Sequence, residues 1–452
     1  MGVFREDSAG VEAGGSLVRR VALASFIGTA VEWYDFFLFG TASALVFGRL
    51  FFPNVDPALG TLASFGTLAV GFVARPVGGV LFGHYGDRIG RKAMLVMTLL
   101  IMGVATLGVG LLPTYQQVGI WAPVLLLLLR VLQSIGVGGE WGGGILMAVE
   151  HAGGRRRGFY GGWQALGSPV GLGLGTAVFM AFSLLPDRQF FEWGWRVPFL
   201  LSVVLVGIGL YIRLRVAESP VFAGMERRGI ISARPVADLW RYHRRSLLFA
   251  MGARLAEGLT FNLYAIWSLD YISGDLGIDR NVALGAIVAA SAVAVGVIPA
   301  FASLSDRVGR RPVYMLGAAF SALFSFPFFL LVDSGEQLLI TLAIVLGLAF
   351  GTYVMGSVEG CFFSEMFDPR VRYSGASIAF QLSGVVASGP APLVAAGLLA
   401  WSGGSSWPVA LLVAVVSTVS LVSAWLAGET YRRDISGSII AGQEVRDDEQ
   451  AA

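Results

Sequence analysis

The chain has 452 residues, of which 55% are hydrophobic and 14% charged, whereas soluble globular proteins have about 25% charged residues. The formal net charge is +2 and the mean hydropathy +0.71. This composition excludes an ordinary soluble protein and a nucleic-acid binder. The single cysteine, Cys361, excludes an intrachain disulfide. With only three scattered histidines, we expect no metal site and no cofactor.

Apolar stretches long enough to cross a bilayer recur along the whole chain. These stretches are helical, because barrel strands would be about half as long. A window of about 20 residues predicts twelve spans, numbered in chain order: 21–48, 59–83, 92–112, 123–150, 158–185, 195–214, 246–273, 281–303, 312–332, 337–364, 373–400 and 407–428.

A charged loop after span 2 recurs after span 8. Asp87, Arg88, Gly90, Arg91 and Lys92 are matched 219 positions later by Asp306, Arg307, Gly309, Arg310 and Arg311. A second match has an offset of 215: a glutamate lies seven residues before an arginine at Glu150 and Arg157, and again at Glu365 and Arg372. The chain therefore contains an internal repeat of about half its length, as membrane transporters often do.

The repeat predicts an all-α polytopic membrane protein of twelve transmembrane helices in two pseudo-symmetric six-helix halves. The predicted segments are an N-terminal tail 1–20, a first half 21–214, a connecting loop 215–245, a second half 246–428 and a disordered acidic tail 429–452.

The basic residues predict the orientation. With the N-terminus in the cytoplasm, cytoplasmic segments hold 25 Lys or Arg residues, and the opposite side holds only Arg49, Arg188, Arg196 and Arg280. The positive-inside rule therefore predicts that both termini are cytoplasmic.

Charged side chains inside spans are costly and usually functional. They lie in spans 1, 2, 4, 7 and 10: Glu32, Asp35, Arg75, Arg130, Glu140, Arg254, Glu257 and Glu359, with Gln133 on the same face of span 4 as Arg130 and Glu140. Spans 3, 6, 9 and 12 carry none in their middles. Two halves that face a shared polar cavity explain this distribution.

Structural roles remain open for several of these groups. Arg254 and Glu257 are one turn apart and can form a pair within one helix. Arg75 and Glu140 lie at similar depth and can lock two helices together. Glu359 and Arg254 can reach water at the span ends. Glu150 and Glu365 are also expected at the boundary, pairing with loop arginines.

Five further motifs resemble one family. They are Glu32-Trp33-Tyr34-Asp35-Phe36, Arg75-Pro76-Val77-Gly78-Gly79, Gly138-Gly139-Glu140-Trp141-Gly142-Gly143, Trp193-Gly194-Trp195-Arg196-Val197-Pro198-Phe199 and Glu218-Ser219-Pro220-Val221-Phe222. Together with the repeated loop, they resemble the metabolite:proton symporters of the major facilitator superfamily, the group with shikimate, proline/betaine and α-ketoglutarate carriers. The second loop copy departs from the pattern, since Ser303 stands where the first copy has His84.

The resemblance implies a secondary transporter that works by alternating access, with spans 1, 4, 7 and 10 around a central site. We expect proton-coupled uptake of a small polar metabolite, an organic acid or a zwitterionic osmolyte, across the bacterial inner membrane. The transporter is expected to work as a monomer in the lipid bilayer. Efflux of drugs or metabolites is the alternative, and a nutrient sensor or membrane enzyme a weaker one.

Residue roles follow from these patterns. Without a histidine inside a span, a carboxylate must carry the proton, and the candidates are Asp35, Glu32, Glu140 and Glu257. Glu32 and Asp35 stand near mid-bilayer, one turn apart, so one of them is expected to stay protonated above the usual carboxylate range. The candidate substrate-binding residues are Arg130, Gln133, Arg75, Gln164, Arg254, Tyr264 and Glu359. The candidate cytoplasmic gate consists of Gly83, Asp87, Arg88, Gly90, Arg91, Asp306, Arg307 and Arg310, with the second copy expected to matter less.

Overall fold

The computed structural model describes residues 3–54, 57–152 and 156–435, and this part of the chain contains helices and no strand. Twelve long helices, labelled α1 to α12, correspond to the twelve predicted spans. Their bounds are Val3–Ala42, Pro57–Ile89, Arg91–Leu111, Trp121–Ala152, Arg157–Ser183, Arg196–Leu214, Arg244–Phe261, Arg280–Val308, Arg310–Asp333, Gln337–Glu365, Arg372–Trp401 and Trp407–Ala427. The fold class is confirmed.

Ten of these helices are long and apolar enough to cross a membrane. The other two are α2 and α7. Helix α7 carries Arg244, Arg245, Arg254 and Glu257 within 18 residues, and these charges lower its hydropathy. Helix α1 begins at Val3, so most of the predicted tail 1–20 is helical rather than a separate segment.

Three helices of the second half contain wide π-helical turns. Helix α7 continues through such turns at Asn262–Trp267 and Tyr271–Asp275. Helices α10 and α11 contain them at Gly347–Thr352 and Gly384–Ser388. In α11, Gly389 and Pro390 follow this turn, Pro390 lacks an N–H for the helical ladder, and the helix resumes at Ala391. Such turns are frequent at functional sites.

Each half packs around its own apolar core. In the first half the core contains Phe47, Trp195 and Phe199, and in the second half it contains Tyr264 and Phe328. Small residues bring helices close together within a half. A Cβ at Gly167 of α5 would lie 2.7 Å from the Phe26 carbonyl oxygen of α1. Between the halves, α2 packs against α11, and α5 packs against α8 and α10.

The segments outside the helical bundle are more ordered than the sequence predicts. The connecting loop 215–245 holds two short helices, Pro220–Arg228 and Pro235–Tyr242. Residues 428–435 pack against the helix ends, whereas a disordered tail was predicted from 429 onwards. The rest of that predicted tail lies outside the described residues. We call the side of the bundle with the loops after α2, α4, α6, α8 and α10 the basic face.

Candidate functional site

A cavity lies between the two halves, and helices from both halves line it. The first half contributes side chains from α1, α2, α4 and α5, and the second half contributes α7, α8, α10 and α11. The spans predicted to surround the site, 1, 4, 7 and 10, are all among them. Polar lining residues are Thr29, Glu32, Arg75, Gln164, Ser168, Arg254, Glu257, Asn262, Tyr353, Glu359, Gln381 and Ser388.

The wall formed by the first half pairs an arginine with aromatic rings. The Arg75 guanidinium lies 4.6 Å from the ring centre of Phe72 and 5.1 Å from that of Phe36. No carboxylate of the described residues lies within ion-pair distance of Arg75, and its Nε has no hydrogen-bond partner among them. Glu32 lines the same wall, and its Oε2 also has no partner there. Arg75 therefore remains available to an anion that enters the cavity.

The opposite wall holds one arginine between two glutamates. Arg254 Nε lies 2.8 Å from Glu359 Oε1, and the guanidinium also pairs with Glu257 one turn along α7. Its face lies 4.1 Å from the ring centre of Phe380, which stacks on Trp141 at 4.0 Å. The pair within one helix is thus part of a three-residue cluster of one guanidinium and two carboxyl groups. Glu359 and Arg254 are buried at the cavity rather than reaching water.

Asp35 lies outside this cavity, at the end of a buried chain of hydrogen bonds. Arg130 Nη1 donates to Gln133 Oε1 at 2.6 Å, and Gln133 Nε2 donates to Thr106 Oγ1 at 2.7 Å. The Thr106 hydroxyl lies 2.7 Å from Asp35 Oδ2. Arg130 is therefore connected to Asp35 through two bridging residues, Gln133 and Thr106. Neither Arg130 nor Gln133 lines the cavity, although both were predicted to bind substrate.

The basic face is closed by an ion-pair network that joins the halves. Asp87 at the end of α2 accepts hydrogen bonds from the backbone N–H groups of Tyr373 and Ser374, at 3.2 and 2.9 Å. These groups open α11 in the other half, where the helix dipole favours a carboxylate. Arg91 lies 3.4 Å from Asp87 and 3.7 Å from Glu150. Glu150 in turn pairs with Arg372 at 3.1 Å.

The second copy of the motif repeats these contacts in the opposite direction. Asp306 accepts from the N–H groups of Gly158 and Phe159, at 2.8 and 2.9 Å, at the start of α5. Arg310 lies 2.8 Å from Asp306 and 3.5 Å from Glu365, and Glu365 lies 3.3 Å from Arg157. The gate network is defined as Asp87, Arg91, Glu150 and Arg372 with Asp306, Arg310, Glu365 and Arg157. Its glutamates cross between the halves, rather than pairing only with neighbouring loops.

Comparison with known proteins identifies the family. The profile of the Major Facilitator Superfamily matches residues 25–358. The chain belongs to the major facilitator superfamily. The shikimate transporter of Escherichia coli (strain K12) is 39% identical over 420 residues, which cover 92% of this chain and 96% of that protein. The proline/betaine transporter of Salmonella typhimurium (strain LT2) is 33% identical over 448 residues, covering 95% and 87%.

A solved structure supports the same fold. The proton:xylose symporter XylE bound to 6-bromo-6-deoxy-D-glucose matches with a TM-score of 0.77 at 15% identity, covering 94% of this chain and 98% of that one. Together with the family match and the two relatives above, this makes the chain a multi-pass membrane protein, and the family and relatives make it a secondary transporter of the major facilitator type. The relatives are transporters, so the choice of transport over an enzyme is confirmed.

The major facilitator gate contains residues that sequence reasoning missed. Glu218 accepts from the N–H groups of Arg91 and Lys92 at the start of α3, both at 3.1 Å. Glu429 accepts from the N–H groups of Arg310 and Arg311 at the start of α9, at 3.0 and 3.1 Å. The next residue after each glutamate, Ser219 or Thr430, donates a hydroxyl hydrogen bond to Glu150 or Glu365, respectively. A glutamate followed by a hydroxyl residue, repeated 211 positions apart, was the available signal.

Three gate glycines allow close approach in this transporter. Gly90 and Gly309 have φ of 122° and 106°, which favours glycine, and a Cβ at either would overlap the capping carboxylate of Glu218 or Glu429. A Cβ at Gly83 would lie 2.8 Å from the Ser374 Cα of the other half.

Two predicted gate residues do not belong to the gate of the transporter. Arg88 and Arg307 are exposed on the basic face and take no part in the gate network. Each directly follows the capping aspartate of its motif, and consecutive residues of an α-helix are about 100° apart, so its side chain points to a different face of the helix.

Two further predicted site residues, besides Asp35, Arg130 and Gln133, lie away from the transport cavity. Tyr264 is buried in the second half, where its ring stacks on Phe328 at 4.0 Å and fits against Gly347. Glu140 pairs with Arg213 of α6 and accepts from Thr98 at 2.9 Å, so the suggested Arg75–Glu140 lock is wrong. Arg213 lies at the end of span 6 and entered the sequence analysis only in the count of 25 cytoplasmic basic residues.

Proposed function

We propose that the chain is a proton-coupled symporter that takes up a small metabolite carrying a carboxylate, an organic acid or a zwitterion. The observation that carries this proposal is Arg75, which has no ion pair among the described residues, beside the buried Glu32 in a cavity shared by both halves. A guanidinium matches a carboxylate in shape and donors. Arg75 therefore replaces Arg130 as the principal substrate-binding candidate.

Binding of an anion at Arg75 also gives a physical reason for coupling. The Arg75 charge favours the ionised form of Glu32 in the empty site. A substrate carboxylate neutralises that charge, so protonation of Glu32 becomes more favourable. Substrate and proton then occupy the site together, and the loaded cavity carries less uncompensated charge through the membrane.

Asp35 is the proposed proton carrier, with Glu32 between it and the cavity. Asp35 is buried, and its Oδ1 has no hydrogen-bond partner among the described residues. A buried ionised carboxylate with one unsatisfied oxygen is costly, so this environment favours the protonated form. Glu257 is another candidate proton carrier in the cavity, although Arg254 already pairs with it.

The gate network supports alternating access as the transport mechanism. The structure has the basic face closed, with caps and ion pairs between the halves. Release of substrate on this face requires these contacts to break together. The charge distribution supports the cytoplasmic assignment of this face and of both termini. We place the protein in the bacterial inner membrane, working as a monomer, with no cofactor besides the coupling proton.

Uptake by proteoliposomes tests the proposal. Radiolabelled shikimate, proline and glycine betaine serve as probes, with an inside-alkaline pH gradient imposed across the vesicle. We expect at least one probe to accumulate above its external concentration and to leak out when a protonophore collapses the gradient. Gradient-driven expulsion of preloaded probe would favour the efflux alternative. If probes bind but their transport does not change with the pH gradient, proton coupling is contradicted.

A further inference from the structure

The chain from Arg130 to Asp35 is built from fully buried groups. Asp35, Thr106, Gln133 and Arg130 are each at most 2% exposed. They come from three helices, α1, α3 and α4, so tertiary packing brings them together. Every hydrogen bond between neighbouring members donates toward Asp35, and the arginine charge stands at the far end.

The chain is separated from the cavity by an aromatic ring. Phe36 lines the cavity, with Arg75 5.1 Å from its ring centre and Arg130 5.8 Å from it. Arg130 also lies 4.3 Å from the ring centre of Phe39. These contacts hold the guanidinium away from the cavity. The chain is therefore suited to act on Asp35 rather than to touch substrate.

Thr106 is the member of the chain that has two alternatives. Its hydroxyl has one hydrogen and two acceptors within reach, Asp35 Oδ2 at 2.7 Å and the Met102 carbonyl at 3.0 Å. Gln133 donates to the same oxygen at 2.7 Å. The single hydrogen can serve only one acceptor at a time.

We propose that Thr106 and Gln133 are positioning residues that connect Arg130 to Asp35 and make this hydrogen-bond chain follow the protonation state of Asp35. The inference rests on the proposed role of Asp35 as proton carrier. When Asp35 is ionised, Thr106 donates to it and the chain links the anion to Arg130. When Asp35 holds a proton, its O–H donates to Thr106, and the threonine hydrogen turns to the Met102 carbonyl.

The other charged groups around Asp35 differ in their reach. Within α1 the titratable neighbours of Asp35 are Glu32 and Tyr34. The Tyr34 hydroxyl donates to the Pro198 carbonyl at 2.8 Å. From α2, Arg75 faces Glu32 and the cavity, and from α4, Arg130 acts through the chain. Glu140 and Arg213 pair with each other. Among the described residues, Thr106 makes the hydrogen bond to the Asp35 carboxylate.

An infrared pH titration of the purified full-length protein tests the relay without a substrate. The carboxylic acid C=O band of Asp35 is identified as the band that Asp35→Asn removes. In Thr106→Val the ionised carboxylate loses a charge-assisted hydrogen bond. We therefore expect the midpoint of this band to move to higher pH by about one unit. Thr106→Ser keeps the hydroxyl and should restore the wild-type midpoint.

A second variant and a matched control separate the relay from general disturbance. Gln133→Leu leaves the Thr106–Asp35 bond but cuts the link to Arg130, so the midpoint should move in the same direction by less. Thr98 on the same helix α3 donates to Glu140 and lies 3.1 Å from the Leu95 carbonyl, an equivalent arrangement. Thr98→Val should leave the Asp35 midpoint unchanged.

The two possible failures are distinguishable. If Asp35→Asn removes no titrating band, the proposed proton carrier is wrong and the relay with it. If the Asp35 band titrates but its midpoint is the same in wild type, Thr106→Val and Gln133→Leu, the relay alone is wrong.

Discussion

Arg75 is a half-buried arginine of the cavity wall that has no ion pair among the described residues. Arg254, Arg213 and Arg372 each pair with a glutamate, whereas the Arg75 guanidinium lies over the rings of Phe72 and Phe36. Arg75→Lys keeps the charge but loses the planar pair of donors. We expect binding of a carboxylate probe to weaken by about tenfold, because charge-assisted hydrogen bonds contribute about 1.5–3 kcal/mol. Calorimetry or thermal-shift titration of the purified protein measures this change.

The control for Arg75 is a substitution that leaves the cavity intact. Arg88→Lys changes the same residue type on the exposed basic face, outside the gate network. Its binding constant should equal that of the wild type. Equal binding in Arg75→Lys and Arg88→Lys would remove Arg75 from the substrate site.

At the scale of helices, the two aspartate caps are equivalent despite their unequal sequences. Each accepts two backbone N–H groups of a helix in the other half. We therefore expect Asp87→Asn and Asp306→Asn to weaken closure of the basic face by similar amounts, instead of the smaller effect first expected for Asp306. Cys361 reports closure, because its thiol is 1% exposed and donates to the Arg157 carbonyl across the interface at 2.9 Å. Maleimide labelling of Cys361 should accelerate about tenfold in both variants.

The exposed neighbours of the two aspartates serve as controls. Arg88→Gln and Arg307→Gln remove charge from the same motifs without touching a cap. Their labelling rates should match the wild type. Fast labelling of Cys361 in Asp87→Asn together with the wild-type rate in Asp306→Asn would show that the second copy of the motif does not contribute to closure.

The elements themselves were largely predictable, but several partnerships were not. Hydropathy predicted the twelve spans because a helix in lipid must pair its own backbone N–H and C=O groups and present apolar side chains. Both requirements are met by a continuous stretch of sequence. Asp87 and Asp306 were expected in the gate from the repeated motif and the family resemblance. Glu140–Arg213 and Thr106–Asp35 join residues 73 and 71 positions apart on different helices, and no local pattern encodes them. Tyr264 was misplaced because an aromatic residue within a polar span resembles a ligand contact as much as a core residue.

At the scale of the whole molecule, residues 428–435 cross the boundary between the halves. Arg157 of the first half donates to the Tyr431 and Arg433 carbonyls, and Arg372 of the second half donates to the Ile435 carbonyl. Truncation after Tyr431 keeps the Glu429 cap but removes two of these acceptors. We expect faster labelling of Cys361 in this variant, since the closed state loses contacts. Truncation after Ile435 keeps all three, so an equally fast rate there would contradict the assigned role of residues 432–435.

Topology is a second property of the whole molecule that can be measured. The count of 25 basic residues against four predicts a cytoplasmic basic face. A cysteine introduced at Gly229, between the two short connecting helices, should resist a membrane-impermeant maleimide in intact cells when Cys361 is replaced by serine. Labelling should appear once the cells are permeabilised. Efficient labelling in intact cells would reverse the orientation.

Proton coupling through the α1 carboxylates is the central claim, and one comparison of two transport modes tests it most directly. Proteoliposomes with wild type, Asp35→Asn or Glu32→Gln are assayed for gradient-driven accumulation and for exchange of labelled against unlabelled probe at equal pH. We predict that Asp35→Asn abolishes accumulation while exchange persists, because substrate still binds but no proton is carried. Full accumulation in both Asp35→Asn and Glu32→Gln would contradict the account and turn attention to Glu257.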